Sequence, residues 1–181
     1  MNIILLKHGK KYSAEDVNRQ AEALKKYCDY DIFCFTEDAK DVIIECIPIP
    51  KKPKLAKWWN KLHVFRHDFV LGDRCVMFDL DIDITDNPFP YIESIDWRIP
   101  HFLEDYWKKD LFWRNHAYDT MLNSSIMAWE PKRNTEYWWW FKQNIDYNTR
   151  KYKGIDRYIW DQKFNFKTFD NAIHDCIDLR L

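Results

Sequence analysis

The segment Cys75–Thr85, CVMFDLDIDIT, constrains this chain more than any other, because an apolar run there acquires three carboxylates at alternate positions. Successive side chains of a strand point to opposite faces, so one continuous strand would set Asp79, Asp81 and Asp83 on a shared face, about 6.5–7 Å apart. At an effective dielectric near 20, each neighbouring pair of such charges repels by about 2.5 kcal/mol. A partly buried set therefore wants protonation, basic partners or a metal ion, and a divalent cation is the simplest answer. Asp86–Asn87–Pro88, just beyond, is turn chemistry, which makes Asp86 a solvated turn residue.

The segments around this run alternate between strand and helix patterns. Asn2–Leu6 reads as a buried strand, His8–Tyr12 as a loop, and Ser13 as a helix N-cap answered by Asp16, with Ala14, Val17, Ala21, Leu24 and Cys28 on one helical face. Asp31–Thr36 and Val42–Ile47 read as two further strands, the second ended by the basic, proline-rich IPIPKKPK. Leu55, Trp58, Trp59, Leu62, Phe65 and Phe69 recur at three- and four-residue steps, which predicts an amphipathic helix before the acidic segment. From Pro88 to Arg114 the pattern is broken and aromatic, a turn with a short helix and edge strands. Leu122–Trp129 returns to strand alternation, and Asn134–Asp146 predicts a helix capped by Asn134. The alternation predicts a single α/β domain over residues 1–181, a mostly parallel sheet flanked by helices, with the acidic segment at the carboxyl end of a strand, where such sheets bind ligands.

Composition removes several classes. With 28 basic and 29 acidic residues the net charge is −1, so no global field favours nucleic acid or an anionic membrane. Three glycines leave no GxGxxG or GxxxxGK[ST] phosphate loop. Five cysteines without a CxxC pair, four of them in apolar runs, read as reduced thiols, and MNIILLKHGKK is too short in apolar residues for a signal peptide or membrane span. A cytoplasmic protein is expected.

Four segments in this order, the first strand running into HGKKYS, the helix KWWNKLHVF, the strand VMFDLDIDI and the downstream LNSSIMAWEP, resemble the GT-A glycosyltransferases, most closely the small nucleotide-sugar transferases of glycosyltransferase family eight. The resemblance spans Asn2 to about Asp161. It implies a GT-A (Rossmann-like) fold with a reduced C-terminal region, and transfer of a sugar from a UDP-linked donor to a hydroxyl acceptor such as a glycan, with manganese or magnesium as cofactor. In that family the DxD carboxylates hold the metal, which holds the donor diphosphate. Asp79 and Asp81 match that pair best, and Asp81 with Asp83 is the other register. Hard cations take oxygen ligands and keep positions open for substrate phosphates.

The same resemblance implies further roles. Lys61 falls where the family has a basic residue, usually Arg, reaching the donor. His8, Lys10 and Tyr12 lie where it contacts base and ribose, with Tyr12 able to stack on uracil, and Thr36–Asp38 follows a strand end that lines the same base pocket. Asn123 and Ser124 match a strand start lying against the donor sugar, with Ser125 in place of a glycine. KGIDRYIWDQ resembles the family's Gly-Asp-Gln element imperfectly, so Asp156 is the candidate for holding sugar hydroxyls or assisting at C1, with Asp161–Gln162 as alternative. The late metal-binding histidine of the family corresponds to His174, although NAIHDCIDLRL lacks the Gly and Lys-Pro-Trp that follow it there, a loss that implies an exposed diphosphate and slow transfer or donor hydrolysis. The aromatic stretches Phe102–Trp113 and Tyr137–Phe141 offer stacking faces to an acceptor, though core packing also explains most of those rings.

Two other readings compete. DIDIT at Asp81–Thr85 resembles the DxDx[TV] nucleophile motif of haloacid-dehalogenase-like phosphatases, but it begins after 80 residues and no GDxxxD follows. A non-catalytic nucleotide-sugar-binding module would keep the fold with weakened chemistry, as the altered Gly-Asp-Gln element allows.

Overall fold

Four consecutive aliphatic residues, Ile3–Leu6, make the first strand apolar on both faces, and such a strand is stable only inside a sheet covered on both sides. A computed structural model, which describes residues 1–105 and 120–179, places it there. In chain order the strands are β1 (Asn2–Lys7), β2 (Asp31–Thr36), β3 (Glu45–Pro48), β4 (Cys75–Phe78), β5 (Ile82–Ile84), β6 (His101–Glu104), β7 (Leu122–Trp129), β8 (Lys167–Thr168) and β9 (Ile177–Leu179). Seven of them form one sheet in the order β3-β2-β1-β4-β7-β6-β8. β1 to β4 run parallel to one another, β7 is antiparallel to β4 and β6, and β8 is parallel to β6. This is the expected mostly parallel α/β sheet.

Alternation along β1 divides the core. Ile3 and Leu5 join Val17, Ala21 and Leu24 of helix α1 (Ala14–Lys25) on one face, while Ile4 and Leu6 join Trp59, Leu62 and Phe65 on the other. The Ser13 capping box forms as predicted: Asp16 N–H donates to Ser13 Oγ at 3.2 Å and Ser13 N–H to Asp16 Oδ2 at 2.8 Å.

Several elements differ from the sequence expectation. The acidic segment is not one strand: β4 ends at Phe78, Leu80–Asp81 make a turn, and β5 pairs with β9 outside the main sheet. Asp83 lies in that separate ladder, opposite Asp178. The expected strand Val42–Ile47 is the shorter β3, an edge strand that tolerates Pro48 at its end, with Ile43 exposed before it. The helix predicted from Leu55 to Phe69 is a 3-10 helix over Lys57–Phe65, with every residue from Trp59 to Phe65 buried. From Trp59 onward it is enclosed by the sheet on one side and by helices α3 (Glu136–Gln143) and α5 (Ile155–Asp161) on the other, and only Lys57 and Trp58 at its start meet solvent. The helix predicted over Asn134–Asp146 breaks at Asn144, whose side chain caps α4 (Ile145–Lys151), and Thr135 rather than Asn134 precedes α3. Between Pro88 and Arg114 a short helix α2 (Phe89–Glu93) appears, and β6 is interior rather than an edge. Residues 106–114 of that stretch, which include most of the aromatic segment Phe102–Trp113, lie outside the described residues.

His63, in the 3-10 helix, is fully buried 5.1 Å from the Trp138 ring, and neither ring nitrogen has a hydrogen-bond partner. Burial lowers its pKa to about 4. With the folded value below that of the unfolded chain, the titration of this site costs no stability above about pH 6.5, and stability is lost as the pH falls toward 4, where only the unfolded chain takes up the proton. That loss amounts to about 3 kcal/mol. His63→Phe keeps the ring volume and removes the titration, so its melting temperature falls less than the parent's between pH 7 and pH 4.5; equal falls would refute the assignment.

Candidate active site

The strand order places a topological switch between β1 and β4: β2 and β3 follow β1 outward on one side, and β4 starts the other side. Open α/β sheets bind ligands at such a point, outside the carboxyl ends of the strands. A cavity of about 600 Å³ opens there. The loop after β1 supplies His8, Lys11 and Tyr12, and the end of β4 supplies Asp79 and Asp81. Because β7 is antiparallel to β4, with Phe78 opposite Ile126, its first residues Asn123–Ser125 lie beside the same end. Lys61 enters from the 3-10 helix and Asp156 from the first turn of α5.

Two lysine–carboxylate pairs occupy the floor. Lys61 Nζ, almost fully buried, donates to Asp79 Oδ2 at 2.7 Å, to the Ser124 carbonyl at 2.9 Å and to Ser124 Oγ at 3.1 Å. Burial pushes the Asp79 carboxyl above its ordinary value, and the Lys61 ammonium beside it only partly offsets this. Asp81 Oδ2 accepts from Tyr12 Oη at 2.6 Å and from Lys11 Nζ at 3.0 Å. Burial works against the Asp81 charge, but those two hydrogen bonds prevail and hold its pKa down. Burial and the bond to Asp81 raise the Tyr12 phenol to about 12. The self-repelling carboxylates of the sequence are thus met by two ammonium groups.

Behind the floor runs a polar relay. Ser124 N–H donates to Asp156 Oδ1 at 3.1 Å, and burial raises the Asp156 pKa. Asn123 Nδ2 donates to Asp105 Oδ1 at 2.7 Å while its Oδ1 accepts from Ser125 N–H at 2.7 Å, so the amide is fixed at both ends. Asp105 has no exposed surface.

Of the residues singled out by sequence, the cavity brings together His8, Tyr12, Lys61, Asp79, Asp81, Asn123, Ser124 and Asp156. Lys10 is exposed outside it, and its neighbour Lys11 takes the place. Thr36 is buried, its hydroxyl closing a turn with Asp38 N–H at 3.1 Å, and does not line the cavity. Asp161 pairs with Arg157 at 2.9 Å, and Gln162 Nε2 donates to Tyr152 Oη, both outside the cavity. His174 lies in the 3-10 helix Asn171–Cys176 near Glu104 and Asp105, where burial lowers its pKa, and it does not line the cavity. Asp83 does not line it either, which leaves Asp79 and Asp81 as the register facing the cavity. Sequence reading missed Lys11, Trp58, Gly154 and Asp105. A carboxylate one residue past an apolar strand was the only available signal for Asp105.

No protein-family model matches the chain, and no curated protein sequence matches it. Solved structures do. The galactosyltransferase LgtC, in complex with donor and acceptor sugar analogues, superposes with a TM-score of 0.63 at 11% identity over 95% of this chain and 74% of LgtC. The glycosyltransferase GlyE of Streptococcus pneumoniae TIGR4 gives 0.67 at 9% identity over 99% of this chain and 55% of GlyE. The bifunctional glycosyltransferase WbbM gives 0.60 at 11% identity over 94% of this chain and 38% of WbbM. The chain therefore spans about half of GlyE and less of WbbM. At these identities the likeness establishes the fold: it is that of the GT-A glycosyltransferases.

Proposed function

We propose that this protein is a metal-dependent glycosyltransferase that moves a sugar from a nucleotide diphosphate donor, UDP-linked, to a hydroxyl acceptor, with slow hydrolysis of the donor when no acceptor is present. One observation carries the reading: two carboxylates and two ammonium groups converge at the switch point of a GT-A sheet, around a cavity large enough for a nucleotide sugar.

The donor set suits a hard cation. Among the described residues no group of three or more His, Cys, Asp or Glu side chains is arranged to hold a metal. Asp79 and Asp81 are a pair of carboxylates, and magnesium-like ions are commonly held by one or two carboxylates together with substrate phosphates. Charge supports the same conclusion. Four lysines and three aspartates line the cavity, so a divalent cation can enter without excess charge only with an anion such as a diphosphate, which Lys11 and Lys61 are placed to meet. When bound, such an ion supplies Lewis-acid stabilisation of the charge on the leaving diphosphate.

The chain's own residues divide the remaining work. Lys61 is fixed by three acceptors and presents a positive charge at a constant position, a preorganised stabiliser of developing negative charge. Lys11 is largely exposed and can turn from Asp81 toward a phosphate. Tyr12 orients Asp81. Asp156, aimed by Ser124 N–H and raised in pKa, is suited to accept or donate hydrogen bonds with sugar hydroxyls. His8 lines the opening on the β1 side, where the nucleoside would extend.

Calorimetry with UDP, with and without manganese, combined with an assay of donor turnover, tests this reading. Metal-dependent UDP binding with release of free sugar, or transfer of it, is expected. Binding without turnover would favour a binding module, and turnover of simple phosphomonoesters without UDP affinity would favour the phosphatase reading.

A further inference from the structure

Six large hydrophobic side chains are exposed among the described residues, and Trp58 alone of them lines the central cavity. Trp58 is 43% exposed, although the seven residues directly after it in the same 3-10 helix are buried. Side chains three apart in a 3-10 helix eclipse one another. Trp58 therefore stands in line with Lys61 along the helix axis, Lys61 reaching the carboxylate floor and Trp58 standing where the helix begins, at the mouth.

The ring is held in place on two sides. Lys57 adopts φ +52°, a left-handed conformation that non-glycine residues seldom take, immediately before the tryptophan. Its ammonium lies 5.2 Å from the indole centroid. Across the mouth, Gly154 gives the pyrrole edge room: a Cβ there would stand 3.3 Å from Trp58 Nε1 and 3.6 Å from Cδ1. A strained residue and a missing side chain converge on one exposed ring. Core packing does not account for its position, since almost half of it faces solvent.

We infer that Trp58 is a stacking platform that selects the acceptor, taking a pyranose by its apolar face while Lys57 hydrogen-bonds a ring substituent. The inference rests on the transferase reading for the word acceptor; the stacking itself does not. The C–H bonds on one side of a pyranose carry partial positive charge and complement the negative face of an indole. A donor whose diphosphate lies over Asp79 and Asp81 occupies the floor, so the rim ring meets whatever enters next. Sugars with an unbroken apolar face, such as galactosides, are held in preference to hydroxyl compounds without one.

Saturation-transfer NMR with methyl β-D-galactopyranoside, methyl β-D-glucopyranoside and glycerol as probes, in the presence and absence of UDP and magnesium, reads the platform directly. The parent protein should transfer magnetisation most strongly to H3, H4 and H5 of the galactoside and least to glycerol. Trp58→Ala should lower that transfer about fivefold, and Trp58→Phe should restore most of it. Gly154→Ala, which keeps the indole but displaces it, should give an intermediate value. Equal transfer in the parent and Trp58→Ala, or none in the parent, overturns the inference. So does a loss of UDP affinity in Trp58→Ala that matches the loss of sugar signal, because the ring would then be a wall of the donor site. A parent protein that gives the galactoside signal but binds no UDP refutes the transferase reading and leaves the platform standing.

Discussion

Asp81→Ala weakens metal-dependent UDP binding about a hundredfold or more while leaving the melting temperature of the ligand-free protein nearly unchanged. The two effects separate because the same side chain has two very different energetic roles. In the ligand-free protein its partner Lys11 is 68% exposed, making a surface ion pair worth less than about 1 kcal/mol, and its second partner, the Tyr12 hydroxyl, lines the cavity, where water can replace the lost acceptor. In the proposed bound state it is one of two carboxylates facing the cation, and even residues that only support metal ligands lower affinity about 10–100-fold when lost. Thermal stabilisation makes the loss measurable. A ligand at a hundredfold excess over its Kd stabilises the native state by about 2.7 kcal/mol, and a hundredfold weaker Kd leaves about 0.4 kcal/mol at the same concentration. For a chain of this size that is a melting shift of roughly 5–10 °C in the parent and about 1 °C in the variant. A shift in Asp81→Ala equal to the parent's would mean that the cation is held elsewhere.

Lys61→Met has the largest effect on the fold itself, a loss of about 3–5 kcal/mol. Lys61 is 5% exposed and its ammonium makes three hydrogen bonds, so its removal leaves the Asp79 carboxylate and two Ser124 oxygens without that donor in a buried site. Burial already raises the Asp79 pKa, and without the neighbouring cation it rises further, so the variant is destabilised more at pH 8 than at pH 5, where the carboxyl can take up a proton. Adding Asp79→Asn to Lys61→Met removes the stranded charge and should recover a substantial part of the loss, because replacing both members of a buried pair is often close to neutral. Chemical denaturation of the two single variants and the double variant gives the coupling energy. Additive losses would show that the 2.7 Å contact contributes little.

The sheet and the floor of the site were legible because they depend on local patterns. Ile3–Leu6 can only be a doubly covered strand, Ser13 and Asp16 announce a helix start, and Leu122–Trp129 forms a strand with the bounds its alternation implies. Asp79 and Asp81 were legible because charge following an apolar strand must be answered by something. What was not legible depends on contacts distant in sequence. The turn at Leu80–Asp81, which separates Asp83 from its two neighbours, follows from β5 pairing with β9 about 95 residues later. Lys11 rather than Lys10 faces the cavity because Gly9, at φ +63°, turns the loop in a way that no side-chain pattern records. The Lys57–Phe65 segment shows steps of three and four, and only its enclosure between sheet and helices explains why Trp59–Phe65 is buried all round. Trp58 could not be told from its buried neighbour Trp59 by sequence, since both sit on the same apolar repeat.

The most direct measurement is the crystal structure of the protein soaked with UDP and manganese, with the metal located by its anomalous signal. A manganese peak is expected at coordinating distance from Asp79 and Asp81, with the diphosphate between the metal and the Lys61 and Lys11 ammonium groups. Manganese and UDP bound together anywhere other than the carboxyl end of β4, or UDP bound in this cavity with no metal peak, would contradict it.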